Sequence, residues 1–139
     1  MVYNSAASLQ KAIESKCNKA VEITCNRLLG ELQQLIDSEY YGKFDPEMYK
    51  RSYQFYESAM IKMLSTTCGE ILMNPSAIHY DRNWDGLTQI SAANEGVHGG
   101  YTTAESLSGH YWDSFIEYCS ANAIPILKEE LRAQGLPIV

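Results

Sequence analysis

Tyr40-Tyr41-Gly42-Lys43-Phe44-Asp45-Pro46-Glu47-Met48-Tyr49-Lys50-Arg51-Ser52-Tyr53 is the stretch on which the fold turns, because it stops a long helical run and redirects the chain. Gly42 is a poor helix residue, and Asp45-Pro46 suits a turn or the start of a new helical turn, since proline has no amide hydrogen to donate. Aromatic rings crowd the segment, with Lys43, Lys50 and Arg51 among them. Rings bury large apolar area while a tyrosine hydroxyl still reaches a polar partner, so the segment is suited to packing on its own core or on another subunit. It defines a tyrosine-rich turn over residues 40–56.

On the N-terminal side, Asn4 and Ser5 offer capping oxygens, and no proline interrupts the chain from there to Asp37. One helix is expected over about residues 5–37. Leu9, Ile13, Cys17, Ala20, Thr24, Leu28, Leu32 and Leu35 recur at steps of three and four, with Val21, Cys25, Leu29 and Ile36 widening the stripe, while Lys11, Glu14, Lys19, Glu22, Arg27 and Glu31 fall largely off it. A helix of that length extends roughly 45 to 50 Å at 1.5 Å per residue, more than a small globule easily covers. Part of its apolar face is therefore expected to lie on a neighbouring subunit.

On the C-terminal side, Ala59–Leu64 and Glu70–Asn74 are β-compatible and are separated by the turn formers of Ser65–Gly69, which predicts a hairpin in a β region over about residues 58–80. Met, Ala, Leu and Lys also suit a helix, so a second helix from Pro46 to Leu64 is the competing reading. Pro75 places the second strand's end, a bulge or an edge nearby. Residues 81–109, with Asn83, Gly86, Asn94, Gly96, Gly99, Gly100 and Gly109, are rich in turn formers and predict a long loop, a length that in compact domains goes with function. A closing helix is expected over about residues 110–133. Trp112, Phe115, Ile116 and Cys119 form its first stripe, with Trp112 and Phe115 to be spent mainly on the core, and Ile126, Leu127 and Leu131 continue it past Pro125, which is expected to kink or split it. Lys128, Arg132 and Gly135 mark its end, and the apolar tail Leu136–Val139 suits docking on a partner. The predicted class is α+β: a long N-terminal helix and a C-terminal helix packed on a small antiparallel β region, with a long Gly-rich loop, as one domain over residues 1–139.

Composition narrows function by exclusion. Hydrophobic residues at 45% and charged residues at 20% are globular values, and no apolar run reaches the ~18 residues that crossing a bilayer requires. The first residues lack the basic and apolar regions of a signal peptide, so a cytoplasmic chain with reduced cysteines is expected. The net charge of -6 and pI near 5.0 disfavour direct or sequence-specific nucleic-acid binding, which counterion release rewards only on basic surfaces. Cys17, Cys25, Cys68 and Cys119 lack the paired spacing of a zinc ribbon or redox site and suit apolar packing.

Catalytic patterns are absent in the same way. His79, His98 and His110 stand 19 and 12 residues apart, not the four that would put two ligands on one helical face, so no metal or other cofactor is expected. Ser106, Ser108, His110 and Asp113 could be gathered into a nucleophilic set, but no Gly-x-Ser-x-Gly elbow holds them, and capping explains both serines. Val97-His98-Gly99-Gly100-Tyr101 lacks the lysine and spacing of a phosphate loop. Glu129 and Glu130 beside Lys128 and Arg132 suit solvated ion pairing on one helix. The chain is expected not to be an enzyme.

Taken together, the long helix, the turn ending Tyr49-Lys50-Arg51-Ser52-Tyr53, the short β region, His98-Gly99 in the loop and the closing Leu127-Lys128-Glu129-Glu130-Leu131-Arg132-Ala133-Gln134-Gly135-Leu136 resemble the neck or tail-completion proteins of long-tailed double-stranded DNA bacteriophages, also described as minor capsid or minor tail proteins. The family's tyrosine, proline, Tyr-x-Arg-Thr/Ser and following aromatic or leucine correspond to Tyr41, Pro46, Tyr49, Arg51, Ser52 and Phe55. Its His-Gly element is similar to His98-Gly99, and its last helix to residues 111–134. The chain departs from the pattern in a methionine-rich β region with weak alternation and in Pro125. The resemblance implies a non-enzymatic virion component, assembled in the host cytoplasm and seated at the head-tail neck as part of a ring expected to be hexameric. Its partners would be itself, a connector or stopper, and a tail terminator or tail tube. DNA could pass through its lumen, and no membrane would be involved.

The candidate interface residues are Tyr49, Arg51 and Tyr53, each weighed against an internal brace, and Trp84, His98, Gly99, Gly100 and Tyr101 of the loop. A dimeric helical binding or regulatory module of the cytoplasm, joined through the first helix, is the competing class.

Overall fold

The computed structural model describes residues 2–43, 53–79, 85–95 and 110–139. Helix α1 spans Ala6–Leu35 and is followed by one π-helical turn, Ile36–Tyr40, and a 3-10 turn, Tyr41–Lys43. A single turn, α2, covers Gln54–Glu57; strands β1 (Ala59–Ser65) and β2 (Cys68–Met73) form an antiparallel hairpin; α3 covers Gly86–Asn94 and α4 Tyr111–Ala133. The architecture is the expected α+β arrangement, mostly helical with a small two-stranded sheet.

The start of α1 is built by a capping box: the Ser5 hydroxyl accepts from the Ser8 amide at 3.2 Å, and the Ser8 hydroxyl accepts from the Ser5 amide at 3.2 Å, so two amides without helical partners are satisfied. The end of α4 is closed with equal economy. Gly135 adopts φ +78°, its amide donates to the Arg132 carbonyl at 2.8 Å, and the Leu136 amide donates to the Leu131 carbonyl at 3.1 Å, the paired bonds of a Schellman motif.

The core lies where the second half of α1 meets α4 and the hairpin. Leu28, Leu32 and Ile36 of α1 and its π-turn are buried with Tyr40, Tyr41, Phe55, Ile78, Tyr111, Phe115 and Ile126. The hairpin can lie this close to α1 because Gly69 has no side chain: a Cβ there would run into Cys25 Sγ. Across the turn, Asn18 Nδ2 donates to the Thr66 carbonyl at 2.9 Å, anchoring the hairpin tip to the helix.

Two expectations are corrected here. The span read as a loop over residues 81–109 contains α3, nine residues long, whose N-cap is Asp85; its carboxylate accepts from the Thr88 amide at 2.8 Å and is held below the usual carboxylate range by hydrogen bonds there. Gly86 and Asn94, taken as loop formers, are the first and last residues of that helix. Gly86 is required at its position because a Cβ would collide with the backbone of Pro75. Pro125, in turn, does not split the last helix, which is continuous from Tyr111 to Ala133. The carbonyl that proline leaves without a donor belongs to Ala121, one turn earlier, and Ala121 and Pro125 are both exposed, so water can satisfy it. The hairpin reading prevails over the helical one for residues 59–64, with β2 ending at Met73 immediately before Asn74 and Pro75.

Candidate functional surface

The 30 residues of α1 divide into two halves with different surroundings. From Ala20 onward the stripe is covered: Ala20 and Leu32 are fully buried and Leu28 is 7% exposed. Before Ala20 the same stripe continues onto open surface, with Leu9 42% and Ile13 41% exposed, and Val2 88% exposed just ahead of the helix. The pattern that builds the core thus runs beyond it by about three turns. Within the covered half, the Arg27 guanidinium bridges to Glu129 at 3.2 Å and Glu130 at 2.6 Å on α4. These two carboxylates, expected to pair with neighbours on their own helix, instead tie α4 to α1.

The tyrosine-rich turn contributes a second feature, an aromatic corner. Tyr40 packs on Phe55 with centroids 4.7 Å apart, and Phe55 meets Tyr111 edge to face at 5.2 Å. Tyr53 lies over Tyr41 at 4.9 Å yet remains 46% exposed, so one face of its ring braces the corner and the other is open. Its backbone is left-handed at φ 58°, an uncommon conformation for a bulky side chain. Of the candidate interface residues, Tyr53 is the one described; Tyr49, Arg51, Trp84, His98, Gly99, Gly100 and Tyr101 lie outside the described residues.

A third feature had no counterpart among the sequence candidates. Asn94 ends α3 and starts α4: its carbonyl accepts from the His110 amide at 3.2 Å, its side-chain oxygen accepts from the Trp112 amide at 3.0 Å, and its Nδ2 donates to Asp113 Oδ2 at 3.1 Å. His110, left-handed at φ 47°, provides no side-chain cap of its own, and Asn94 supplies the oxygen from a distance in sequence. The Tyr111 hydroxyl donates to the Ile90 carbonyl at 3.1 Å and completes the junction. Burial pushes the Tyr111 phenol above its ordinary range. Beside Asn94 an open groove of about 470 Å³ runs between β2 and α3, with Tyr111 and Trp112 at its lining. The signal for this junction was an asparagine two residues before Gly96, which a reading by turn propensity assigns to a loop.

Among the described residues no group of three His, Cys, Asp or Glu side chains is placed to hold a metal ion, and the Cys25 and Cys119 thiols are pushed up by burial, away from the thiolate that nucleophilic or metal chemistry needs. His110 Nδ1 lies 3.2 Å from Asp113 Oδ2, but both side chains are largely exposed and the carboxylate is shared with Asn94. No described helix is long and apolar enough to cross a membrane.

Among known protein families, a model described as YomN matches residues 5–133. No curated protein and no solved structure matches the chain.

Proposed function

The chain belongs to the YomN family, which is phage-derived, and from that premise we propose that it is a non-enzymatic structural component of the phage virion, working in an oligomeric ring at the head-tail neck. The observation that carries the reading is the open half of α1. A stripe with Leu9 and Ile13 about two-fifths exposed, continuous with one whose Leu32 is fully buried, is what a subunit presents when a neighbour completes its helical packing. The exposed side of Tyr53 and the apolar tail ending at the fully exposed Val139 add further surface of the same kind. A net charge of -6 suits a conduit, since a negative lumen repels the passing phosphate backbone and prevents adhesion. In this reading the protein joins the head connector to the tail tube mechanically, needs no cofactor, and has itself and those two components as partners.

Light scattering across a concentration series, followed by negative-stain imaging of the largest species, tests the proposal. Closed rings, or a monomer that forms rings on mixing with connector or tail-tube protein, are the expected result. A dimer independent of concentration and indifferent to those proteins would overturn it in favour of a helical binding module.

A further inference from the structure

A subunit of a ring needs two different faces, because it meets one neighbour with the first and the next neighbour with the second. The open half of α1 is one face, and α4 carries a complement to it. Phe115 and Ile126 of α4 turn inward to the core, while Ile116, 49% exposed, and Ile124, 62% exposed, stand on the outward side of the same helix. Asp113, Ile116, Ser120 and Ile124 follow one another at steps of three and four, so they lie on one stripe. The small Ser120 leaves a hollow there between two isoleucines, the kind of gap into which a side chain of a packed helix fits.

Charge matches the two faces. Residues 111–127 carry Asp113 and Glu117 and neither lysine nor arginine, whereas residues 1–19 carry Lys11, Lys16 and Lys19 against Glu14 alone, in a chain whose net charge is -6. Lys16 shares the side of α1 that bears Leu9 and Ile13, at steps of four and three. The hairpin also exposes Met60, Met63 and Leu64, but Lys62 is paired opposite Glu70 there, so its charge is balanced and selects nothing. Spacing agrees with charge. With the two helices antiparallel, Leu9 seated at Ser120 brings Ile13 to Ile116, four residues along each helix, and Lys16 to Asp113, seven residues along each, roughly 10 Å in both. We infer that the open half of α1 packs antiparallel on the outward stripe of α4 in the next copy of this chain, Leu9 entering between Ile116 and Ile124 and Lys16 meeting Asp113 and Glu117. The inference rests on the ring reading and names the surface that receives the helix. The contact joins unlike faces, so it repeats from copy to copy and does not end in a pair.

Two double variants of the full chain test this by mixing. Ile116→Ser with Ile124→Ser removes the face on α4, and Leu9→Ser with Ile13→Ser removes the face on α1; far-UV circular dichroism checks that both fold. Under the conditions in which the wild type assembles, with connector or tail-tube protein added where it requires them, neither variant is expected to form the larger species. Each keeps the face that the other lacks, so an equimolar mixture without those proteins is expected to give a 1:1 dimer in analytical ultracentrifugation, while each variant by itself stays monomeric. Glu117→Lys sets a like charge beside Lys16 and is expected to weaken assembly about tenfold, and Lys16→Glu in the same chain to restore most of it. A mixture that stays monomeric, or a double charge variant no better than Glu117→Lys by itself, would overturn the pairing of α1 with α4. The ring reading fails separately: a wild type that forms no larger species with or without connector and tail-tube protein removes the ring and this contact together. A wild type that assembles beside an Ile116 and Ile124 variant that assembles equally well removes this contact and leaves the ring.

Discussion

Gly69 can place only a hydrogen against α1, and the hairpin's seat depends on that. Gly69→Ala drives a methyl group into Cys25 Sγ with Met63 Sδ close by, so the thiol or the strand must shift. The expected cost is about 1–3 kcal/mol, the range for overpacking a tight contact, read as a lower urea midpoint with an unchanged slope. A variant as stable as the wild type would mean that the hairpin lies less closely on the helix than described. Tyr111 carries a second prediction, this one in pH. Its phenol is pushed up by burial first, then by the neighbouring Tyr40 and Asp113. A group whose folded pKa is raised contributes stability fully below its unfolded value, near 10, and loses it as pH rises from there toward the folded value. Stability should therefore decline above about pH 10. Tyr111→Phe should lose about 1 kcal/mol at neutral pH, for the missing bond to the Ile90 carbonyl, and show a shallower alkaline decline. Parallel alkaline limbs in the two proteins would exclude Tyr111 as the cause.

Helix α1 is continuous in hydrogen bonding but not in what supports it, and substitutions along it should separate the two roles. Leu32→Ala empties a fully buried site between α4 and the aromatic corner, with an expected loss of about 2–5 kcal/mol. The pair Leu9→Ser and Ile13→Ser changes side chains on the open part of the stripe, so monomer stability should change by no more than about 0.5 kcal/mol for each. Large destabilisation by the pair, measured at concentrations where the protein is monomeric, would show that the open stripe serves the monomer after all. In α4, Pro125→Ala restores an amide that can reach the Ala121 carbonyl. A gain of about 1–3 kcal/mol is expected, reduced by the freedom alanine returns to the unfolded chain. No gain would indicate that the helix is shaped around its proline.

At the level of the assembled particle, the same Leu9 and Ile13 pair decides between a self-sufficient monomer and a ring subunit. If the open half of α1 is completed by a neighbour, the double variant should stay folded by circular dichroism and fail to form the larger species in light scattering. Assembly at wild-type concentrations would remove this half of the helix from the interface. Salt adds a further discriminator: an interface of aliphatic side chains should survive about 0.5 M salt, whereas contacts between exposed charges weaken as the Debye length shrinks.

Much of the fold was legible along the chain because the signals were local. Ser5 and Ser8, the three-and-four stripe from Leu9 to Ile36, the turn at Thr66 and Thr67, and Gly135 each act within a few residues of themselves, so the two long helices, the hairpin and the final cap could be anticipated within a few residues. Helix α3 could not, since Gly86 and Asn94 look like loop residues until Pro75 and the start of α4 are brought beside them: the glycine answers a backbone contact and the asparagine caps a helix that begins only at Tyr111. Periodicity likewise showed how far the apolar stripe of α1 extends but not where its cover stops. That boundary depends on which residues α4 and the hairpin reach in three dimensions. The groove at β2 belongs wholly to the tertiary level, because its walls, β2, α3 and the start of α4, are distant in sequence. Local hydrogen bonding and periodicity are properties of neighbours in sequence, and they wrote the elements; coverage and close approach are relations between distant segments, and packing alone set them.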